Sequence, residues 1–212
     1  MLICAATNNA GKLKELRRIL EKQGHTVKSQ KELEIFIEPD ETGTTFEENA
    51  KIKAQAICAA SGIATIADDS GLQVDALNGD PGVYSARYCG VHGNDEANND
   101  KLIAELNKLK TPPYTARFVS AVCLMLPNGN SITLTGRCEG TVICTRKGTN
   151  GFGYDPLFVP DEVGCEDGTT RPNTQMQTYA QLEDWQKDAI SHRGKALQQL
   201  DTQLEEFLKQ NA

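Results

Sequence analysis

The chain has 212 residues and a formal net charge of −7, long enough for one α/β domain or two small lobes around a sizeable core. The acidic balance argues against a nucleic-acid polymer as the main partner, because phosphate backbones are held by basic surfaces, but it allows a small anion in a locally basic pocket. Seven cysteines without a CxxC pair fit reduced thiols, the apolar start from Met1 to Ala6 is too short for a signal segment, and no run approaches membrane-spanning length, so a cytoplasmic protein with no membrane partner is expected.

Residues 2–6 read as a short buried strand, followed by the loop Thr7-Asn8-Asn9-Ala10-Gly11-Lys12. Leu13, Leu16, Ile19 and Leu20 then recur at helical spacing, and Gly24 closes the helix. A strand, loop and helix in this order aim the amides of the first helical turn at one spot beyond the strand, which suits a phosphate, and Lys12 adds a mobile positive charge. The loop lacks the glycines and the Ser or Thr of a P-loop, so only the anion-site physics supports this reading; an ordinary turn with a surface lysine explains the same residues. Residues 32–37 predict a second strand.

Thr45 and Glu48 then match a capping box that opens a second helix. Phe46, Ala50, Ala54 and Ile57 share one face of it, and Asn49 and Lys53, four apart, project from another. That pair reads either as a ligand contact or as a solvated polar face. Residues 63–67 predict a buried strand ending at Asp68-Asp69, where the apolar run breaks into a turn before resuming over residues 72–77. Adjacent carboxylates repel and are tolerated best beside a cation, a donor-rich turn or bulk water. Two readings stand: a divalent metal site, or a turn in which an aspartate accepts from the amides that follow. Ligand sites of open α/β sheets lie at strand ends, so the Lys12 loop and the Asp69 turn are expected to face one crevice.

Residues 78–88 begin with turn chemistry and end at Arg87 between aromatics, as a wall or an interface. Helical spacing returns over residues 98–109. Long strands are predicted over residues 116–126 and 131–144, joined at Asn128-Gly129 as an antiparallel hairpin. Residues 148–158 hold three glycines and three aromatics, which would let a backbone approach a ligand and offer a base a stacking face, or would build a small core under a loop. Residues 165–177 read as a flexible polar excursion without function. Residues 182–208 read as helical, broken near Ser191-His192-Arg193-Gly194-Lys195, with Leu197, Leu200, Leu204 and Leu208 as a core stripe. The break offers donors for phosphate or carbonyl oxygens. Adjacent Ser and His seldom reach triad geometry and no oriented Asp is evident, so it reads as a binding element.

Taken in order, six blocks resemble the inosine triphosphate pyrophosphatase, or Ham1-like, family across nearly the whole chain. They are Thr7 to Lys12 with Glu15; Glu41-Thr42-Gly43 with Thr45-Phe46 and Glu48-Asn49-Ala50; Ala67-Asp68-Asp69-Ser70-Gly71-Leu72 with Val74-Asp75; Pro81 to Tyr88; Gly151 to Pro156; and Ser191 to Gly194. The resemblance implies one α/β domain over residues 1–212: an elongated mixed twisted sheet flanked by helices, in two lobes with a central nucleotide cleft, assembled as a homodimer. It implies Mg²⁺-dependent hydrolysis of ITP, dITP and XTP to the monophosphate and pyrophosphate, which cleanses the nucleotide pool.

Carried over by motif, Thr7, Asn8, Asn9, Ala10, Gly11 and Lys12 hold the triphosphate. Asp69 is the catalytic base and a metal ligand, Glu41 is the second metal ligand, and Ser70 contacts substrate. Phe152, Gly153, Tyr154 and Asp155 shape the base pocket, Lys187 reaches the nucleotide, and His192 with Arg193 recognises the purine. Asp68 receives no role. Two departures bear on Lys187: residues 161–178 form a longer link than is usual in the family, and Gln181 stands where Glu is common. The alternatives are a Maf-like nucleotide pyrophosphatase of other specificity and a nucleotide-binding module without turnover.

Overall fold

The computed structural model describes residues 1–109 and 111–211. In chain order the elements are β1 (Leu2–Ala5), α1 (Ala10–Lys22), β2 (Thr26–Ser29), α2 (Phe46–Ser61), β3 (Thr65–Val74), α3 (Asp95–Leu109), β4 (Tyr114–Met125), β5 (Ser131–Val142), β6 (Phe158–Pro160), β7 (Glu162–Gly164), β8 (Thr170–Pro172), α4 (Asp184–Ile190) and α5 (His192–Gln210). Short 3-10 turns lie at Asp75–Leu77, Gly82–Arg87 and Tyr179–Gln181. Six strands form one sheet in the order β2-β1-β3-β4-β5-β6, and β7 and β8 pair separately. β1 runs parallel to β2 and β3 while β5 and β6 are antiparallel, so the α/β fold with a mixed sheet flanked by helices is as the resemblance implied.

Contacts divide the chain into two units, one of Met1–Asp69, Ser120–Gly136 and the segment from Arg193 onward, the other of Ser70–Val119 and Arg137–His192. The first unit packs Ile3, Ile66, Val122 and Leu124 of the strands with Leu16 and Leu20 of α1 and Leu197, Leu200 and Leu204 of α5. The stripe read from the sequence is therefore core, as its 3.6-residue spacing requires. The second unit packs Leu72, Val74, Phe118 and Phe158 with Leu102 and Leu106 of α3.

Local chemistry sets the element ends. Asn9 caps α1, its side chain accepting from the Lys12 amide at 2.9 Å. Thr45 and Glu48 make the expected capping box on α2, and Gly62, at φ +65, supplies the left-handed residue that ends it. Residues 32–37 are not a strand. β2 lies earlier, and the Glu32 carboxylate accepts from the Ser29 amide at 2.7 Å and the Ser29 hydroxyl at 2.8 Å, turning the chain just past the strand. A side chain that satisfies the backbone locally outcompetes the β-propensity of Ile35 and Ile37.

β3 also departs from the reading: it continues unbroken through Asp68 and Asp69, so the acids lie inside a strand and not at a turn. β4 and β5 are sheet neighbours joined by a turn in which the Leu126 amide donates to the Asn130 carbonyl at 2.8 Å. The excursion read as flexible forms the β7–β8 hairpin, and Asn173 pins the chain after it by donating to the Pro160 and Gln177 carbonyls at 2.9 and 2.8 Å. β7 lies against α4, where a Cβ on Gly164 would fall 2.8 Å from the Gln186 carbonyl oxygen. Among the described residues no helix is long and apolar enough to cross a membrane, and no cysteine is in a disulfide.

Just past the acids, Gly71 meets the 3-10 turn at Gly82–Arg87. The Leu72 amide donates to Ser85 Oγ at 3.0 Å, and that hydroxyl donates to the Gly82 carbonyl at 2.6 Å. A Cβ on Gly71 would overlap both Ser85 Oγ and the Gly82 oxygen. Gly71→Ala is therefore expected to cost about 2 kcal/mol by overpacking, seen as a melting temperature lower by roughly 6 °C. A variant that melts with the parent would show that the turn shifts freely.

Candidate active site

In the first unit, β1 ends at Ala5 and the chain enters α1 through Thr7, Asn8 and Asn9. The Thr7 hydroxyl accepts from the Asn9 amide at 3.1 Å, and Asn8 donates to Glu38 Oε1 at 3.1 Å. The first turn of α1 carries no acidic residue, so its positive dipole end favours an anion, with the Lys12 amide already taken by Asn9. Lys12 leaves that turn and places Nζ 3.5 Å from Asp68 Oδ1. Burial lowers its pKa, against the opposing pull of Asp68.

Asp69 is served by α2. Asn49, fully buried, donates to Asp69 Oδ2 at 3.1 Å and accepts from the Gly43 amide at 2.8 Å, which ties the Glu41 loop to the strand. One helical turn on, Lys53 Nζ lies 2.8 Å from Glu41 Oε1 and 3.5 Å from Asp69 Oδ1. The solvated-face reading of Asn49 and Lys53 thus gives way to one in which both side chains face Asp69. Burial pushes the Asp69 carboxyl above its usual range, only partly offset by Lys53 and Lys12. For Lys53 burial works downward, but Asp69 and Glu41 outweigh it and its pKa is raised.

Asp68 is handled differently. Successive strand residues point to opposite faces, and Asp68 Oδ2 accepts from Arg193 Nη2 and Nε at 2.7 and 3.1 Å and from Ser120 Oγ at 3.4 Å. Arg193 also donates to Glu15. Burial alone would raise the Asp68 pKa, but Arg193 and Lys12 outweigh it and hold the carboxyl well below the usual range. Two neighbouring acids are thus pushed in opposite directions, a pattern that separates a fixed charge from a proton-handling group.

The second unit carries the remaining candidates. The Asp155 carboxylate accepts from the Phe152 amide at 2.9 Å and from Lys187 Nζ at 2.7 Å, with both ionic side chains nearly buried. Lys187 lies 5.0 Å from the Phe152 ring centroid and 5.2 Å from that of Tyr179. Tyr154 points into the core and donates to the Ser85 carbonyl at 2.9 Å, while the Gly153 amide donates to Asp95 at 2.8 Å and its carbonyl accepts from Asn99 at 2.9 Å. The His192 ring stacks on Phe118 with centroids 4.8 Å apart. Ser70, the first residue of this unit, is half-buried on β3.

The two departures noted near Lys187 are absorbed by the structure. Gln181 completes a capping box with Thr178, a role Gln fills as well as Glu, and the longer link becomes the hairpin against α4. While the His192 ring stacks on Phe118, the adjacent Arg193 guanidinium, 1% exposed, donates to Asp68 and Glu15. A buried guanidinium demands carboxylate partners, and these two satisfy it. From the sequence, Asn49 and Lys53 stood between a ligand contact and a solvated face, and Asp95, Asn99, Phe118 and Tyr179 had no role. Only the first two carried a signal, their i,i+4 spacing.

Among the described residues no three His, Cys, Asp or Glu side chains gather as a metal cage. Glu41 and Asp69 are two carboxylates joined through one ammonium. Mg²⁺ commonly takes one or two carboxylates and completes its shell with water and substrate phosphates, so this donor set fits a Mg²⁺ shared with a triphosphate.

The opposite handling of the acids predicts opposite stability effects. Asp68→Asn breaks a buried ion pair and is expected to cost about 3–5 kcal/mol, whereas Asp69→Asn should stay within about 1 kcal/mol because burial already disfavours its charge. Denaturant unfolding at neutral pH measures both, and equal losses would refute the division. Since the Asp68 pKa is lowered on folding, its contribution is complete at neutral pH and fades as pH falls below about 4; Asp68→Asn should flatten that acid dependence.

Comparison with known proteins agrees with this architecture. The Ham1 family model matches residues 3–203. The chain is 48% identical over 204 residues to a dITP/XTP pyrophosphatase of Corynebacterium glutamicum strain R, covering 94% of this chain and 95% of that protein. It is 46% identical over 209 residues to a dITP/XTP pyrophosphatase of an Exiguobacterium species, covering 99% and 100%. The solved structure of a HAM1 protein from Coxiella burnetii superposes with a TM-score of 0.81 at 36% identity, covering 97% of this chain and 99% of the other. A family match over nearly the full length, joined to a fold and acid pair of the expected kind, makes this chain a member of the Ham1 family.

Proposed function

We propose that this protein hydrolyses the non-standard purine nucleoside triphosphates ITP, dITP and XTP to the monophosphate and pyrophosphate. The observation that carries the reading is Asp69, held by the Asn49 amide and the Lys53 ammonium, on the strand whose preceding residue anchors Lys12 at the start of α1. A Ham1 assignment favours this reading over the Maf-like one. The dITP/XTP names of the relatives support the substrate class.

In this scheme the Thr7 to Lys12 loop and the α1 dipole hold the triphosphate, and Lys12 adds a charge that acts strongly in a low-dielectric site. Glu41 and Asp69 would hold Mg²⁺, which draws charge from the phosphoryl oxygens. Asp69 orients a water toward the α-phosphorus and accepts its proton. A bond forms from the water oxygen to phosphorus as the bond to the bridging oxygen breaks, and pyrophosphate leaves. Positioning and charge supply most of the rate, as is general for phosphoryl transfer. Asp68, with its charge fixed, keeps Lys12 in place.

Base selection is assigned to Ser70, the Phe152–Asp155 turn, Lys187 and His192. Donors there favour a purine 6-oxo acceptor over the amino group of adenine, because donor facing donor leaves both unpaired. Arg193 contributes from the first unit by holding Asp68, whose charge its own balances. By family resemblance the working assembly is a homodimer in the cytoplasm.

With Mg²⁺, the protein is expected to convert dITP, XTP and ITP to monophosphate and pyrophosphate while sparing ATP, followed by anion-exchange chromatography of products. Release of orthophosphate alone would refute the reading. Asp69→Asn should lower kcat by roughly 10²- to 10⁴-fold and still bind nucleotide, which also separates an enzyme from a binding module. Lys12→Ala should chiefly raise KM, and an unchanged KM would return Lys12 to an ordinary surface role.

A further inference from the structure

Lys53 occupies the space between the two acids that the proposed function assigns to the metal. Its Nζ lies 2.8 Å from Glu41 Oε1 and 3.5 Å from Asp69 Oδ1. Neither acid is placed by Lys53 alone: Asn49 holds Asp69 from one side and the Gly43 amide from the other. The ammonium therefore bridges carboxylates whose backbones are already fixed. Without a cation between them they would repel.

A divalent ion bound to those oxygens sits about 2.1 Å from them. An ammonium hydrogen-bonded to the same oxygens competes for the same lone pairs and for the same favourable potential. The wider cluster of the first unit points the same way. Glu15, Asp68, Asp69 and Glu41 are each paired with Lys12, Lys53 or Arg193, so an entering ion meets carboxylates that already have a cation.

We propose that Lys53 is a placeholder cation: it holds Glu41 and Asp69 together in the metal-free protein and releases them when a divalent ion enters, turning its charge to the triphosphate that accompanies the ion. The consequence is an order of binding. The nucleotide-free protein holds divalent cations weakly, and metal and triphosphate load together. Lys53 is here a positioning residue, and the inference rests on the reading of Glu41 and Asp69 as metal ligands.

The test titrates Mn²⁺ into nucleotide-free, full-length protein and follows free Mn²⁺ by electron paramagnetic resonance, which needs no turnover. Lys53→Met, which keeps the stem and removes the charge, is expected to bind Mn²⁺ at least about tenfold more tightly than the parent. Lys53→Arg, which keeps a cation, should stay as weak as the parent. Lys53→Gln provides a second neutral variant should Lys53→Met fail to fold, as judged by thermal melting. Folded neutral variants that bind Mn²⁺ no more tightly than the parent would overturn the inference. Glu41→Gln separates the two levels: if it abolishes Mn²⁺ uptake by the parent with a non-hydrolysable inosine triphosphate analogue, the metal reading stands on its own. If Lys53→Met gains affinity and Glu41→Gln in that background keeps it, the carboxylate assignment fails and the inference falls with it.

Discussion

The alternation of side chains along β3 is the constraint on which the site depends. Two aspartates adjacent in sequence would lie within repulsive reach in a turn, but in a strand they leave on opposite faces. Asp68 meets Arg193, Ser120 and Lys12, and Asp69 meets Asn49 and Lys53. One strand thereby delivers two unlike carboxylates from two neighbouring positions. Moving the acids into a turn would forfeit that separation.

Burying charge is costly unless each ion finds a partner, and the first unit meets the cost by chaining its ions. Glu15 and Asp68 share Arg193, Asp68 also serves Lys12, and Glu41 and Asp69 share Lys53. The chain holds the Asp68 carboxyl below its usual range, whereas burial raises that of Asp69. Low dielectric strengthens each of these interactions and, with them, any triphosphate contact made at the start of α1.

Much of this could be read from residue patterns. The strand, loop and helix at the N-terminus, the capping box at Thr45 and Glu48, and the leucine stripe of α5 all rest on local periodicity or on a cap, and local chemistry decides them. Residues 32–37 misled because β-propensity is a weak prior: Glu32 folding back on Ser29 ends the strand early. The excursion at residues 165–177 misled because its polar composition hides an anchor, Asn173, whose partners are the Pro160 and Gln177 carbonyls. Lys53 and Asn49 were visible as a pair four apart, but whether that face met water or Asp69 was a question of packing.

By itself the sequence determined the α/β succession of elements, the capping box of α2, the leucine stripe of α5 and the family blocks, since each is a property of neighbours along the chain. Tertiary structure alone decided which ion meets which. Arg193 reaches Asp68 across 125 positions and Glu15 across 178, and no spacing rule links residues so far apart. Those partnerships arise only when the folded backbone brings charges into a space that water has left, and there each carboxylate is defined by the cation it finds.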